Sequence, residues 1–447
     1  MEVLFCLIKL SQTLTHERIT VLKNHPYWWE TVAPQDPEAG TRNLDPGRFD
    51  IAVIGAGYTG LSAARHLARS GASVVVFERG QVGSGASSRN AGQVLTGLKL
   101  DPAALVARYG ESRARALFQI SRDSIAALES LVADERIECG LERTGHLQAA
   151  AKPSHFAAFR EEQALLARVF DHRVSLVEPS EQSTELATAS YHGLMVDEGS
   201  RAINPAQYVQ GLAGAARRAG AAVAEETAVT RIARDGREWT IATARGEFRA
   251  KDVLLATNGY TDAAAPALRR RLIPIGSYII TTTPLPAEVA ARLLPKRRMV
   301  FDSKNFLHYF RLTADNRLLF GGRAEFSGPT LESATRAEAI LQRGMAQIFP
   351  ELAATPIEYA WSGQVGFTRD QMPHAGLLDG LFYAGGYCGH GIAMATHLGA
   401  LIAGRIAGER VDHPLFDDHF APIPLYYGRP WFLPLAGLYY RFRDWID

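Results

Sequence analysis

The sequence is poor in cysteine, in net charge and in long apolar runs. Three cysteines occur among 447 residues, without metal-site spacing, so we expect no metal, no disulfides and a reducing, cytoplasmic setting. The 48 Lys and Arg residues are balanced by 47 Asp and Glu residues, which argues against a nucleic-acid partner. The apolar run within Met1–Leu10 is too short to span a bilayer, and it lacks the basic start and cleavage site of a signal peptide.

One stretch, Asp50–Glu78, has every feature of a β-turn-α-β unit. An apolar, β-branched run leads into G-A-G-Y-T-G, helical periodicity follows, and a second apolar run ends at Glu78. Gly55 would make the tight turn, Gly57 would admit a pyrophosphate, and Gly60 would let the helix pack on the strand. An acid at Glu78 suits a ribose 2′-hydroxyl and disfavours a 2′-phosphate. The dinucleotide-binding residues predicted in this stretch are Gly55, Gly57, Tyr58, Thr59, Gly60 and Glu78.

A second segment of small residues, Arg79–Gln93, follows directly. Small residues let the backbone approach a flat, phosphorylated ligand, and a plain NAD dehydrogenase does not need a second segment of this kind. The alternative is a flexible loop, but such a loop seldom carries Arg-Asn within Ser and Gly. The residues predicted to bind a cofactor in this segment are Arg79, Gly85, Ala86, Ser87, Arg89, Asn90, Gly92 and Gln93.

These two segments resemble the FAD-dependent D-amino-acid oxidase superfamily, and within it the γ-glutamylputrescine oxidoreductases. G-A-G-Y-T-G-L, Glu78 and G-A-S-S-R-N-A-G-Q carry the resemblance, and the stretch Trp361–Pro373 and G-H-G at 389–391 follow in the family's order. The resemblance implies FAD as the cofactor. No cysteine lies in 364–370 and no histidine in 87–93, where some relatives tether the flavin, so we expect noncovalent FAD.

The sequence predicts an α/β fold with a Rossmann-type FAD-binding domain and an inserted, mostly antiparallel β-sheet substrate domain. The FAD-binding domain would comprise 50–100, 196–271 and 362–412, and the substrate domain 101–195 and 272–361. Residues 1–49 would form an N-terminal extension and linker, in which the aromatic trio Tyr27–Trp29 fills a surface groove. Residues 413–447 would be a tail that packs on the protein or a partner subunit in preference to a membrane surface.

The resemblance implies further contacts to FAD from later segments. The backbone of Val229 would meet the adenine, and the strand end at Thr257 would close over the cofactor. A last glycine-rich turn would aim a helix N-terminus at the flavin ring, where it stabilises negative charge. The residues of this turn that we expect at the cofactor are Gly386, Gly389, His390, Gly391 and Ile392.

Candidates for the substrate side come from predicted strands that would roof the site. Tyr309 and Arg311 share one face of such a strand by alternation. An arginine on that face would clamp a carboxylate through its fork of N–H groups, and a solvent-facing arginine is the alternative. Aromatic walls would favour an uncharged amine by desolvation. The predicted catalytic and substrate-contacting residues are Tyr278, Tyr309, Arg311, Trp361 and His390.

We therefore predict an FAD-dependent amine or amino-acid oxidase or dehydrogenase. Its partners would be a small-molecule amine and oxygen or another electron acceptor. The resemblance implies a carboxylate-bearing substrate similar to γ-glutamylputrescine, with hydride transfer to flavin N5 and hydrolysis of the imine to an aldehyde and ammonia. The alternatives are a secondary-amine or cyclic imino-acid oxidase acting on pipecolate or an N-methyl amino acid, a non-catalytic flavoprotein binding module, and an NAD-linked dehydrogenase.

Overall fold

Two large β-sheets and the helices that connect several of their strands make up the fold. The structure is a computed structural model that describes residues 22–33, 44–322, 331–437 and 439. Its strands are β1 (Arg48–Ile54), β2 (Val74–Phe77), β3 (Gln93–Val94), β4 (His146–Ala149), β5 (Ser175–Val177), β6 (Leu194–Asp197), β7 (Arg201–Ala202), β8 (Ala222–Ala224), β9 (Val229–Asp235), β10 (Glu238–Thr243), β11 (Gly246–Leu255), β12 (Ile273–Thr282), β13 (Met299–Asp302), β14 (His308–Leu312), β15 (Leu318–Gly322), β16 (Ile357–Phe367), β17 (His374–Leu378) and β18 (Leu381–Gly385). Its α-helices are α1 (Tyr58–Arg69), α2 (Pro102–Asp134), α3 (Pro153–Phe170), α4 (Pro205–Arg218), α5 (Pro266–Arg269), α6 (Ala287–Leu293), α7 (Leu331–Ile348) and α8 (Gly391–Ile406).

The first sheet carries the predicted β-turn-α-β unit. Its strand order is β17-β18-β11-β1-β2-β8, and the hairpin β9–β10 pairs onto β11. The strands from β18 to β8 run parallel. Parallel strands are normally covered on both faces, and Val53, Val75 and Val76 are accordingly fully buried. Helix α1 packs against α4 and α8 on this sheet, so the expected Rossmann-type layer is confirmed.

The second sheet has the order β16-β12-β15-β14-β13-β4-β6-β5. Its neighbours are antiparallel except for β13 and β4, which run parallel. Phe310 and Phe320 stack on this sheet with ring centroids 5.7 Å apart, and Phe349 meets Phe310 edge-on. The sheet thus has its own apolar core, and its mostly antiparallel character agrees with the sequence prediction.

Two of the expected domain boundaries fall inside strands of this second sheet. The boundary at 195/196 interrupts β6, and the boundary at 361/362 interrupts β16, which pairs with β12 along its whole length. A domain boundary would not divide a continuous strand, so these two boundaries do not match the strands of the structure. The division into two domains otherwise stays a prediction.

The segments near the two ends of the described chain differ in how far their large apolar side chains are buried. Tyr27 and Trp28 are buried while Trp29 is 38% exposed. The tail buries Ile423, Tyr426 and Leu433 but leaves other large apolar side chains exposed, so it packs on the protein by one side only. Expectations for 1–21, 34–43, 438 and 440–447 lie outside the described residues. In the part of the chain that the structure describes, no helix is both long and apolar enough to cross a membrane.

Candidate functional site

A cavity of about 770 Å³ is lined by residues of both sheets. One end is lined by the turn after β1, and the other end is lined by strands of the second sheet and by helices α2 and α3. The loop Ser84–Gln93 and the turn Gly389–Ile392 line it between these ends. A cavity at the carboxyl ends of parallel strands is the usual ligand position in an open α/β sheet.

Two glycines in the turn between β1 and α1 lie close to other segments of the chain. A Cβ on Gly55, whose φ is +108°, would lie 2.9 Å from the Ala256 carbonyl oxygen, and a Cβ on Gly57 would lie 2.9 Å from Ser87 Oγ. Glu78 is fixed beside this turn, because its carboxylate accepts hydrogen bonds from the backbone N–H of Ala56 at 2.9 Å and of Gly80 at 3.0 Å. No side chain of these glycines therefore covers the backbone where the sequence predicts a pyrophosphate, and the Glu78 carboxylate lies next to it.

Three indole N–H groups hold the second small-residue segment in place. Trp28 donates to the Asn90 carbonyl at 2.9 Å, Trp29 to Ser88 Oγ at 2.7 Å, and Trp361 to the Arg89 carbonyl at 2.9 Å. The aromatic trio therefore does more than fill a groove, since it fixes the backbone of a cavity wall. Trp361, which we expected to face the substrate, is 3% exposed and lies behind the loop instead of on the cavity.

Most of the predicted cofactor residues line the cavity. Three glycines do not: Gly60, Gly92 and Gly386. They serve close packing, because a Cβ on them would lie 2.0 Å from the Gly55 oxygen, 2.1 Å from the Ile203 oxygen and 2.3 Å from Thr368 Cγ2 respectively. The predicted residues that line the cavity are Gly55, Gly57, Tyr58, Thr59, Glu78, Arg79, Gly85, Ala86, Ser87, Arg89, Asn90, Gln93, Val229, Thr257, Gly389, His390, Gly391 and Ile392.

The last glycine-rich turn brings the N-terminus of α8 to the cavity. The hydroxyl groups of Tyr387 and Thr59 share a hydrogen bond of 2.6 Å, which ties this turn to the start of α1. His390 precedes α8 on the cavity wall, and its Nδ1 has no partner within the described residues. Its enclosed position, together with the charge of Lys99, lowers the pKa of His390 to about 3, so the imidazole is neutral near pH 7.

At the other end of the cavity, one of the two predicted tyrosines is in place. Tyr309 lines the cavity, and its hydroxyl shares a 2.9 Å hydrogen bond with Ser277. Tyr278 is 2% exposed and belongs to the core of the second sheet. The reason is strand alternation, which sends Ser277 to the cavity and its neighbour Tyr278 to the opposite face. The prediction that Tyr278 forms an aromatic wall of the site was wrong.

Arg311 also does not reach the cavity. Its Nη1 donates to the carbonyl oxygens of Gly92 at 2.9 Å and Ile203 at 3.1 Å, and its side chain is buried. Burial lowers the pKa of Arg311 to about 10. Arg311 shares a face with Tyr309 as expected from strand alternation, but it lies further along the strand, against the carbonyl groups of Gly92 and Ile203. The predicted carboxylate clamp is therefore corrected to a residue that joins the second sheet to the Gly92 segment.

The substrate end also contains polar residues that the sequence analysis did not propose as site residues. Asp197 accepts hydrogen bonds from His172 Nε2 at 2.7 Å and from the Thr96 hydroxyl at 2.5 Å. Burial raises the pKa of Asp197, but these bonds and nearby His146 outweigh that effect and hold it at about 2. The only sequence signal was that Asp197 ends a strand. The newly placed residues are Lys99, His146, Glu162, His172, Asp197, Asp302 and Lys304.

The residues present fit FAD. The two bare backbone segments, the acid at Glu78 and the helix N-terminus at Gly391 all line one continuous space, and dinucleotides use these features for pyrophosphate, ribose and reduced flavin. Among the described residues, no group of three or more His, Cys, Asp or Glu side chains could hold a metal ion.

Comparison with known proteins gives a consistent result. Residues 50–405 match the family model described as "DAO: FAD dependent oxidoreductase". The chain is 35% identical over 405 residues to the gamma-glutamylputrescine oxidoreductase of Escherichia coli K12, covering 88% of this chain and 92% of that protein. It is 32% identical to the probable oxidoreductase OrdL of Rhizobium meliloti, over 93% of this chain and 97% of that protein. The fold is similar to the crystal structure of glycine oxidase from Geobacillus kaustophilus, with a TM-score of 0.71, 23% identity and coverage of 84% and 99%.

Proposed function

Because the chain belongs to the DAO family of FAD-dependent oxidoreductases, we propose that it oxidises the C–N bond of a carboxylate-bearing amine similar to γ-glutamylputrescine. The observation that carries this proposal is the 35% identity to gamma-glutamylputrescine oxidoreductase over 88% of the chain. When bound, FAD supplies the acceptor for the two electrons and the hydrogen that leave the amine. The resulting imine takes up water and yields an aldehyde and ammonia.

The chain's own contribution is to enclose the amine and keep it uncharged. Phe301, Leu98 and Met195 line the substrate end with apolar surface, and the Tyr309 ring lies within van der Waals reach of the bare Gly321 backbone. Such walls exclude water and disfavour an ammonium, so they favour the neutral amine that can be oxidised. Burial also lowers the pKa of His146. His146 and His390 are therefore both uncharged near neutral pH.

We further propose that FAD is held noncovalently and that the enzyme works in the cytoplasm. Cys388 lines the cavity, but it is buried and burial raises the pKa of its thiol to about 11. A protonated thiol is a poor nucleophile, so attachment of flavin through Cys388 is disfavoured. The buried cysteines Cys139 and Cys388 are both free, as suits a reducing compartment.

A substrate panel tests the proposed activity. FAD-loaded protein would be incubated with γ-glutamylputrescine, putrescine, sarcosine and pipecolate, each with oxygen or with an artificial electron acceptor, and aldehyde and ammonia would be measured. We expect the highest kcat/KM with γ-glutamylputrescine. Preference for sarcosine or pipecolate would support a secondary-amine or imino-acid oxidase instead, and no turnover with any amine would support a flavoprotein without amine chemistry. The ratio of the rates with oxygen and with the artificial acceptor separates an oxidase from a dehydrogenase.

A further inference from the structure

The cavity wall formed by α2 and α3 contains a carboxylate that differs from the others. Glu162 lies on α3 with its side chain partly buried at the cavity, one helical turn before Leu166, which also lines it. Asp101, the residue that caps the N-terminus of α2, lines the same wall. This wall belongs to the substrate end of the cavity.

The other carboxylates that line the cavity are engaged by protein groups. Glu78 is bound by two backbone N–H groups, and Asp197 by His172 and Thr96. Asp302 accepts from the Tyr191 hydroxyl at 3.3 Å and the His308 N–H at 3.1 Å. Asp101 and Asp262 are bound by the Ala104 N–H and by Arg79. Glu162, in contrast, accepts no hydrogen bond and forms no ion pair with any residue that the structure describes.

In this arrangement, ionisation of Glu162 without a partner is unfavourable in free energy. Burial, with a smaller contribution from Asp101, raises the pKa of Glu162 to about 7. A partly buried carboxylate without a partner loses hydration and gains nothing in return. A cation that enters the cavity and meets Glu162 would remove this cost, so the site favours a positively charged ligand group.

A ligand group suited to Glu162 is one that keeps its positive charge throughout turnover. The nitrogen that is oxidised must be uncharged when it reacts, and a carboxylate beside it would hold it protonated. Glu162 is therefore suited to a nitrogen other than the reacting one.

Resting on the proposed function, we propose that Glu162 binds a second cationic nitrogen of the substrate, so that the cavity selects amines with two basic nitrogen atoms. In γ-glutamylputrescine this group is the α-ammonium of the glutamyl moiety. Sarcosine and pipecolate have only one nitrogen, and they would leave Glu162 without a partner.

A matched pair of ligands and a matched pair of variants test this inference. The ligands are γ-glutamylputrescine and glutarylputrescine, which lacks only the α-amino group. The variants are Glu162→Gln and Glu161→Gln, because Glu161 is the preceding residue of α3, is exposed and does not line the cavity. Anaerobic stopped-flow reduction of the FAD-loaded protein gives the dissociation constant separately from the limiting reduction rate for each combination.

We expect wild-type protein and Glu161→Gln to bind γ-glutamylputrescine about 10- to 100-fold more tightly than glutarylputrescine, the range typical of hydrogen bonds to charged groups. In Glu162→Gln this preference should fall to about threefold or less, with the FAD content unchanged. If Glu162→Gln keeps the wild-type preference, or weakens both ligands equally, Glu162 does not bind the second nitrogen.

Failure of the proposed function gives a different result. If neither ligand reduces the flavin, the proposed activity is wrong. Binding would then be measured by equilibrium dialysis of the FAD-loaded protein with 1,4-diaminobutane and with butylamine. A preference for the diamine that Glu162→Gln abolishes would still support a cation site, whereas equal binding in both proteins would overturn it.

Discussion

The two ends of the cavity are built in contrasting ways. The dinucleotide end comes mainly from one continuous stretch, 50–93. Glycines stand where neighbouring atoms leave no space for a Cβ, so no side chain covers the backbone there. The substrate end is assembled from side chains on α2, α3, β4, β6, β13 and β14, which are far apart in the chain. A backbone site tolerates few substitutions, whereas a side-chain site can change its ligand by exchange of single residues. We therefore propose that the first end binds the cofactor and that the second end determines the choice of substrate.

The largest expected effect breaks the backbone end. In Gly60→Ala the new Cβ would lie 2.0 Å from the Gly55 oxygen and 3.0 Å from Val53 Cγ1, so the β1–α1 turn must open. We expect FAD content to fall at least about tenfold and stability to fall by several kcal/mol. FAD stoichiometry and thermal unfolding measure both.

Gly214→Ala is the matched control for that variant. It also replaces a helical glycine, but its Cβ would meet only the mobile end of Arg218, 3.2 Å away. Its FAD content should equal that of the wild type, with unchanged or slightly higher stability. Wild-type FAD content and melting temperature in Gly60→Ala would show that the close approach at this turn is not needed.

A second variant tests the contact between the two ends. In Arg311→Ala the carbonyl groups of Gly92 and Ile203 lose their donor, and a buried space opens. We expect the free energy of unfolding to fall by about 2–4 kcal/mol, with KM changing equally for γ-glutamylputrescine and for an amine without a carboxylate.

Arg237→Ala, at an exposed arginine, is the matched control. Its free energy of unfolding and its KM values should stay near those of the wild type. A KM increase confined to the carboxylate-bearing substrate in Arg311→Ala would instead return Arg311 to the role of a clamp.

The same contrast explains what could be predicted from the sequence. The residues Gly55, Gly57 and Glu78 belong to a contiguous unit whose strand, turn and helix determine one another, so their positions followed from the pattern. Tyr278 was misplaced because only the register of β12 decides which of two neighbouring residues faces the cavity. The position of the Arg311 side chain depends on the Gly92 and Ile203 carbonyl groups, which belong to other segments of the chain.

Glu162 was overlooked for a related reason. A glutamate on an amphipathic helix normally faces solvent, and only the packing of α3 beside α2 places it on a cavity. Its lack of a partner is a property of the assembled wall and has no counterpart in the local sequence.

The smallest expected effect concerns the charge state of His390 between the two ends. Its pKa is about 3 in the folded protein and about 6.5 in the unfolded chain. The unfolded state therefore binds more protons between these values, and His390 makes the protein less stable as the pH falls through that window. Between pH 6.5 and 5.5 the wild type should lose about 1 kcal/mol more than His390→Gln.

Urea unfolding of both FAD-loaded proteins at the two pH values measures this difference. The other histidines are common to both proteins and cancel in the comparison. An equal loss in the two proteins would mean that His390 takes up a proton as readily in the folded state as in the unfolded one.

The central claim is that one cavity holds FAD at its backbone end and presents a carboxylate-bearing amine to it from the side-chain end. The most direct test is the visible spectrum of the purified, FAD-loaded protein mixed with γ-glutamylputrescine in the absence of oxygen. The account predicts a yellow protein whose oxidised-flavin absorption is lost on addition of this amine. A chain that takes up no FAD, or a flavin that stays oxidised with γ-glutamylputrescine while sarcosine or pipecolate reduces it, would contradict the account.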